Sequence, residues 1–421
     1  MQTVRYDWLD YLRGIAALWM IEVHVVDVAL DPRWHTAWWF PWLSLTHGFV
    51  AVAFLFCAGG AFAITLERKL AAYRRWERPL WDYLAKLGLL LVLGYWLHLP
   101  GFSLERTLHA TQDELRRLAD CDILQCIAAS SLLALAIGIT TERAPLYRSI
   151  YAVLTAAIAS LTPWVWEQHL DEKLPLFLGA FVAPQPVSKF PLFPFAAYFF
   201  AGAVAVPLIR SCSRRALWWL LVGSTVAAAG LLAVGFSSPK QWWHSSPGHV
   251  GFRLAGTVAL LTAFILGAER IARLHVRSIL RLAGQQSLWI YVFHLILVYG
   301  SVGGQGLSSL VGGALGPAAC TLLIGAIGLV TLASGWGWAQ LKRTMPSIVR
   351  VVVGVVIAIG AMIFLLLPSR YAALLSVLDG SVRLGGAAPV AARSDLLRRP
   401  DALVQVSRER ASNRGHRTSA W

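Results

Sequence analysis

The chain has 421 residues, of which 57% are hydrophobic and only 14% charged, against roughly 25% charged in an average soluble domain. So few charges do not cover a water-facing surface, which excludes a soluble globular protein. The net charge of +15 does not call for nucleic acid either, because the Arg and Lys residues gather in alternate loops between apolar runs, as the positive-inside rule describes.

Apolar runs long enough to cross a ~30 Å hydrocarbon core, which takes roughly 20 helical residues, recur along almost the whole chain. They are predicted at about 8–29, 46–66, 82–99, 121–139, 147–166, 193–209, 216–236, 253–269, 282–302, 311–338 and 350–367. The runs are continuously apolar, whereas a barrel strand alternates over about ten residues, so the spans are helices. The fold class is all-α: a polytopic transmembrane helix bundle of ten core helices plus an eleventh. A membrane-embedded core is expected over 1–345, the additional transmembrane helix over 346–368, and a disordered Arg-rich tail over 369–421.

With the N-terminus cytoplasmic, the inner loops hold Arg68, Lys69, Arg74, Arg75 and Arg78, then Arg143 and Arg148, Arg210, Arg214 and Arg215, and Arg270 to Arg281. The outer loops are poorer in cations. A tail exported by the eleventh span conflicts with that rule. The first span is not a cleavable signal, since Arg13, Glu22, His24 and Asp27 interrupt it and no small-residue cleavage site follows. Trp34, Trp38, Trp39 and Trp42, and Trp242 and Trp243, fit headgroup-level anchors. The five cysteines show no metal-ligand spacing and read as structural thiols.

Ionisable groups inside a span cost at least ~2.5 kcal/mol at the bilayer centre, so they normally face a partner or a wet cavity. The first span carries Asp10, Arg13, His24 and Asp27. Eleven residues at 100° each fall within about 20° of three full turns, so Arg13 and His24 share one face, roughly 16 Å apart along the axis. Each has an acid three residues away, Asp10 for Arg13 and Asp27 for His24, within side-chain reach. Charges near span ends also serve as plain anchors by snorkelling, and Asp10 with Arg13 fit that reading equally well. His24 lies deeper, and His47 opens the second span at the same depth. Two such histidines suit a general base and a group that orients substrate. Glu22 points about 200° away from His24 and is left out. Gln125, Ser287 and His294 are further polar residues within spans. A lone histidine on an apolar face is more often a packed core residue.

These residues resemble the heparan-alpha-glucosaminide N-acetyltransferase-like proteins of the transmembrane acyltransferase superfamily. RYDWLDYLRGIAALWMIEVHVVDV is similar to that family's first helix with its Arg-x10-His, here Arg13 and His24. LTHGFVAVAFLFCAGGAFAI resembles the second, DILQCIAASSLLAL the fourth, FPLFPFAAYFFAGAVA the Pro-rich start of the sixth, GQQSLWIYVFHLILVYG the ninth, and WGWAQLKR the end of the tenth. The resemblance covers about residues 5–345. Arg75 and Arg78 resemble an Arg-x2-Arg element of the polysaccharide branch. The Asn-rich segment of the lysosomal members has no counterpart.

The resemblance implies acyl transfer across a bacterial cytoplasmic membrane, from acyl-CoA, as acetyl-CoA, to a glycan or glycolipid acceptor on the outer side. Acyl-CoA would be a co-substrate, with no tightly bound cofactor and no metal. Arg13, Asp10, Arg75 and Arg78 would hold the CoA end, since guanidinium pairs with phosphate. His24 would deprotonate the acceptor or briefly carry the acyl group, with Asp27 fixing its tautomer and His47 as a second catalytic group. Ser287, His294 and Gln125 would line the substrate site. Arg13 and His24 are thus expected to look into one water-accessible chamber. The competing reading is a transporter or flippase of a small anionic or glycolipid substrate, because charges in spans also mark substrate paths. Against it, the polar series of the first helix has no repeat in the second half of the chain.

Overall fold

The computed structural model describes residues 6–366, apart from 142, 185, 302 and 303. The expected tail over 369–421 lies outside the described residues. The chain runs through α1 (Asp7–Ala29), α2 (Phe40–Arg74), α3 (Arg78–Trp96), α4 (Ile123–Thr140), α5 (Ala144–Glu167) and α6 (Leu192–Ile209). It continues through α7 (Arg214–Ser237), α8 (Pro247–Ala272), α9 (Val276–Gln285), α10 (Ser287–Tyr299), α11 (Pro317–Thr344) and α12 (Pro346–Leu366). Short turns of helix fill the connections, and a two-residue antiparallel pairing, Gly300–Ser301 with Gly304–Gln305, follows α10. The molecule is a helical polytopic bundle.

Eight of the described helices are long and apolar enough to cross a membrane, or nine if α9 and α10 make one broken span. That pair corrects the expected straight ninth span at 282–302: α9 and α10 meet at 84°. The physical cause is the polar run Gly284-Gln285-Gln286-Ser287, where the backbone of Gln286 leaves the helix (φ −106°, ψ 21°). Helix α1 is long enough to span, at 23 residues or about 34 Å, but its charges set it apart from the apolar spans.

How α1 tolerates those charges is a matter of placement. It packs against α2, α8, α9, α10 and α11, and twelve of its 23 residues are buried. Protein, not lipid, surrounds it. Its closest neighbour is α9, because both helices present glycine at the crossing: a Cβ on Gly14 would collide with the Leu280 carbonyl, and one on Gly284 with the Asp10 carbonyl. The α2–α6 crossing repeats the device, Gly59 against the Phe199 carbonyl and Gly202 against that of Phe56. Between membrane helices, where apolar faces gain nothing over lipid tails, such close backbone packing is the main source of association. Helix α12, by contrast, leaves almost all its side chains exposed, as a helix facing lipid does.

Candidate active site

The end of α1, the start of α2 and the end of α10 come together at one end of the bundle. There His24 Nδ1 lies 2.9 Å from the Tyr299 hydroxyl, and the His24 ring is 5.3 Å from that of His294. His294 donates from Nδ1 to the Ile290 carbonyl at 2.7 Å, the bond its own helix offers four residues back. Its neutral ring then has a lone pair on Nε2, and that atom is buried with no hydrogen-bond partner. Across from this pair, His47 Nε2 sits 3.0 and 3.1 Å from the two carboxylate oxygens of Glu22.

A second polar knot lies close by. Asp122 caps α4, accepting from the Ile123 N–H at 2.7 Å, and its other oxygen accepts from the Tyr291 hydroxyl at 2.7 Å. His98, just past α3, places Nε2 3.9 Å from that same oxygen and donates from Nδ1 to the Gly94 carbonyl at 2.8 Å. Asp122, Lys189 and His47 are all within electrostatic range of the His24 ring. Six segments of the chain therefore deliver ionisable groups to one region, which is unusual where each buried charge is costly.

At the other end of α1, Arg13 Nη2 donates to Asp10 at 2.7 Å, the pairing that the i,i+3 spacing predicts. Asp10 is 3% exposed, and the Arg13 Nε is buried without a partner. Arg75 pairs with Glu77 at 2.8 Å, and both it and Arg78 are exposed at the α2–α3 turn. Glu67, also at this end, holds Arg148 at 2.7 Å and Arg210 at 2.5 Å, tying α2 to α5 and to the end of α6.

Of the residues singled out in the sequence, the structure joins His24 with His294, and Asp10 with Arg13. Asp27 keeps to the same end of the bundle but makes no hydrogen bond or ion pair among the described residues; Tyr299, not Asp27, bonds His24. Glu22, set aside because it points away from His24, does so toward His47. Ser287 opens α10 seven residues before His294, about 10 Å away along the axis, and so sits apart from the histidines. Gln125 is fully buried against Gly94, with Nε2 reaching only the Asp120 carbonyl at 3.4 Å. The expected open chamber joining Arg13 to His24 is also corrected. Ala17 and Met20, between them on the same stripe, are 0% and 4% exposed and belong to apolar clusters. Tyr291 and Tyr299 escaped the sequence reading; the spacing Tyr291-x2-His294-x4-Tyr299 places all three within a 140° arc of a helix and was the available signal.

The catalytic domain of heparan-alpha-glucosaminide N-acetyltransferase, as a family, matches residues 5–238, more than half of the chain. The match takes in Arg13, His24 and His47 and stops before α8, so the resemblance read over 239–345 goes beyond it. No curated protein and no solved structure matches the chain. With its helical bundle, its polar first span and that match, the chain belongs to the heparan-alpha-glucosaminide N-acetyltransferase catalytic family, a family of acetyltransferases.

Proposed function

We propose that the protein moves an acetyl group from cytoplasmic acetyl-CoA to a glycan or glycolipid acceptor at the outer side of the membrane, with His24 at the point of transfer. The observation that carries this reading is the His24 ring, held by Tyr299 and set beside His294 within the segment that matches the family. When His24 Nδ1 donates to the phenol oxygen, Nε2 keeps its lone pair, which is what a general base or an acyl-accepting nucleophile needs. Asp122 supplies negative charge near the ring when it takes a proton, with Asp27 one turn beyond His24 on α1. His47, oriented by Glu22, serves the acceptor, and His294 lines the same site. Gln125 and Ser287 support the surrounding helices at a distance.

The donor's phosphates are assigned to the Arg13 end, where Arg75 and Arg78 stand exposed and Arg13, anchored by Asp10, lies deeper. Its thioester reaches His24 only when the plug between them opens, and Met20, an unbranched and adaptable side chain, is the group that has to move. The N-terminus is assigned to the cytoplasmic side on the distribution of Arg and Lys among loops, and the bacterial cytoplasmic membrane follows from the family resemblance alone.

The test is incubation of purified protein with radiolabelled acetyl-CoA and a glycan extract, wild type against His24→Ala. Label passing to glycan in the wild type, and not in the variant, is the expected result. Unchanged transfer by the variant removes His24 from the chemistry, and failure of the wild type to bind CoA at all returns the transporter reading.

A further inference from the structure

Helix α8 carries a guanidinium that the site above does not use. Arg253 Nε donates to His249 Nε2 at 2.8 Å, and Nη1 donates to the Gly48 carbonyl at 2.6 Å. Gly48 is glycine for a reason: a Cβ there would run into the guanidinium. Both partners are neutral acceptors. Among the described residues no carboxylate pairs with Arg253, and its Nη2 makes no hydrogen bond. The charge is therefore positioned but not neutralised, in a helix that has no other Asp, Glu, Lys or Arg over its first five turns. His249 is packed by Trp242, Trp243 and Phe252, so the cation rests at the tryptophan-rich end of α8, where headgroups meet hydrocarbon.

One turn further along the same face of α8, a crevice of about 230 Å³ opens between α1, α2 and α8. Its walls include Ile15, Trp19, Phe49, Gly256 and Leu260, with Thr46 and Thr257 as the polar members. Its walls begin next to the arginine along both helices: Phe49 follows Gly48, whose carbonyl holds the guanidinium, and Gly256 and Thr257 stand one turn beyond Arg253 on α8. Lined this way at the surface of a membrane bundle, the crevice suits hydrocarbon chains. An unpaired guanidinium at its end selects among them for a chain that ends in an anion, and guanidinium matches phosphate through paired donors.

We propose that Arg253 and the α1–α2–α8 crevice form a binding site for an anionic lipid, the phosphate on the guanidinium and the chain between Trp19, Phe49 and Leu260. Because Gly48 directly follows His47, the headgroup is set down beside the His47–Glu22 pair. That this lipid carries the acetyl acceptor rests on the function proposed above; that the site binds lipid phosphate does not.

The experiment is native mass spectrometry of the full chain in detergent with equal phosphatidylglycerol and phosphatidylcholine, on wild type, Arg253→Met, Arg253→Lys and Ile15→Trp. The wild type is expected to retain phosphatidylglycerol at least tenfold in preference to phosphatidylcholine. Arg253→Met loses the preference and Arg253→Lys keeps most of it. Ile15→Trp fills the crevice from its rim, leaves the guanidinium in place, and lowers retention even if Arg253→Met fails to fold. Equal retention of phosphatidylglycerol by wild type and Ile15→Trp overturns the proposal, as does an unchanged preference in folded Arg253→Met. A last arm adds inorganic phosphate: displacement of the lipid at equimolar phosphate shows a headgroup-only anion site and sinks the role of the crevice. None of these readings needs acetyl transfer to occur.

Discussion

The two ends of α1 hold similar residues and use them differently. At the Arg13 end the helix meets α9 backbone to backbone, through Gly14 and Gly284, and its charges either pair within one turn, Asp10 with Arg13, or clamp that same neighbour, Asp7 with Arg277 at 3.3 Å and Arg281 at 3.6 Å. At the His24 end side chains reach across between helices: His24 to Tyr299 on α10, Glu22 to His47 on α2, and, next to them, Tyr291 to Asp122 at the head of α4. Where backbones touch there is no room for a substrate. Where the helices are bridged by polar side chains instead, the groups that meet are ones able to move protons. One helix thus serves as fastener at one end and, in the function proposed, as working surface at the other.

That division predicts opposite signatures for substitutions at the two ends. The largest effect belongs to His24→Ala, expected to reduce acetyl transfer by about 10²–10⁴-fold, the usual contribution of a positioned acid–base group. Its unfolding midpoint in detergent should hardly change, since the substitution removes one hydrogen bond worth about 1 kcal/mol. A large loss of stability with activity per folded molecule intact would reverse the assignment of the two ends. Gly14→Leu is the counterpart. Its side chain has to displace the α9 backbone at the Leu280 carbonyl, an overpacking that costs about 3 kcal/mol, read as a lowered midpoint or as loss of folded protein. Full stability in that variant would show that the crossing is looser than the glycine contacts imply.

Tyr299→Phe sharpens the picture within the working end. The ring keeps its place and loses only the hydroxyl at 2.9 Å from His24, so the expected outcome is roughly a tenfold fall in transfer, the kinetic equivalent of about 1.4 kcal/mol. The Michaelis constant for acetyl-CoA should stay near its wild-type value if Tyr299 acts through His24. A rise in that constant with turnover unaltered would instead place Tyr299 on the donor.

What could be read in the sequence follows the same divide. Length and apolarity were enough for the helices, because a membrane span is a local property of some twenty residues. The Asp10–Arg13 pair was legible for the same reason, both partners standing one turn apart. His24 and Asp27 have that spacing too, yet His24 bonds Tyr299, 275 residues away, a partner that periodicity on a single helix does not contain. Glu22 was set aside on its angle to His24, a sound argument about α1 that is blind to His47 arriving on α2. The break between α9 and α10 did have a local signal, the run Gly284-Gln285-Gln286-Ser287, masked by the strong apolar stretches on either side. The plug at Ala17 and Met20 had none, since both are ordinary apolar residues whose burial depends on α9, α10 and α2.

The smallest expected effect concerns the loop between α3 and α4, which leads from His98 to Asp122. There Thr111 opens the short helix Gln112–Ala119 as a capping box: its hydroxyl accepts from the Glu114 N–H at 3.3 Å, and the Glu114 carboxylate accepts from the Thr111 N–H at 3.0 Å and from Arg106 Nη2 at 2.9 Å. The Thr111 N–H first, and then Arg106, hold the Glu114 carboxyl below its ordinary value of 4.5. A carboxylate with a lowered folded value stabilises fully above the unfolded value, and that stabilisation fades as pH falls below 4.5 through the folded one. Thr111→Ala should cost about 1 kcal/mol, with acetyl transfer at neutral pH within about twofold of wild type. Glu114→Gln should cost less at neutral pH and flatten the acid limb of stability measured between pH 5 and 3. Loss of transfer in either variant, with the fold retained, would mean that the loop between His98 and Asp122 takes part in seating the acceptor, and the working end would then extend beyond the helices to include that loop.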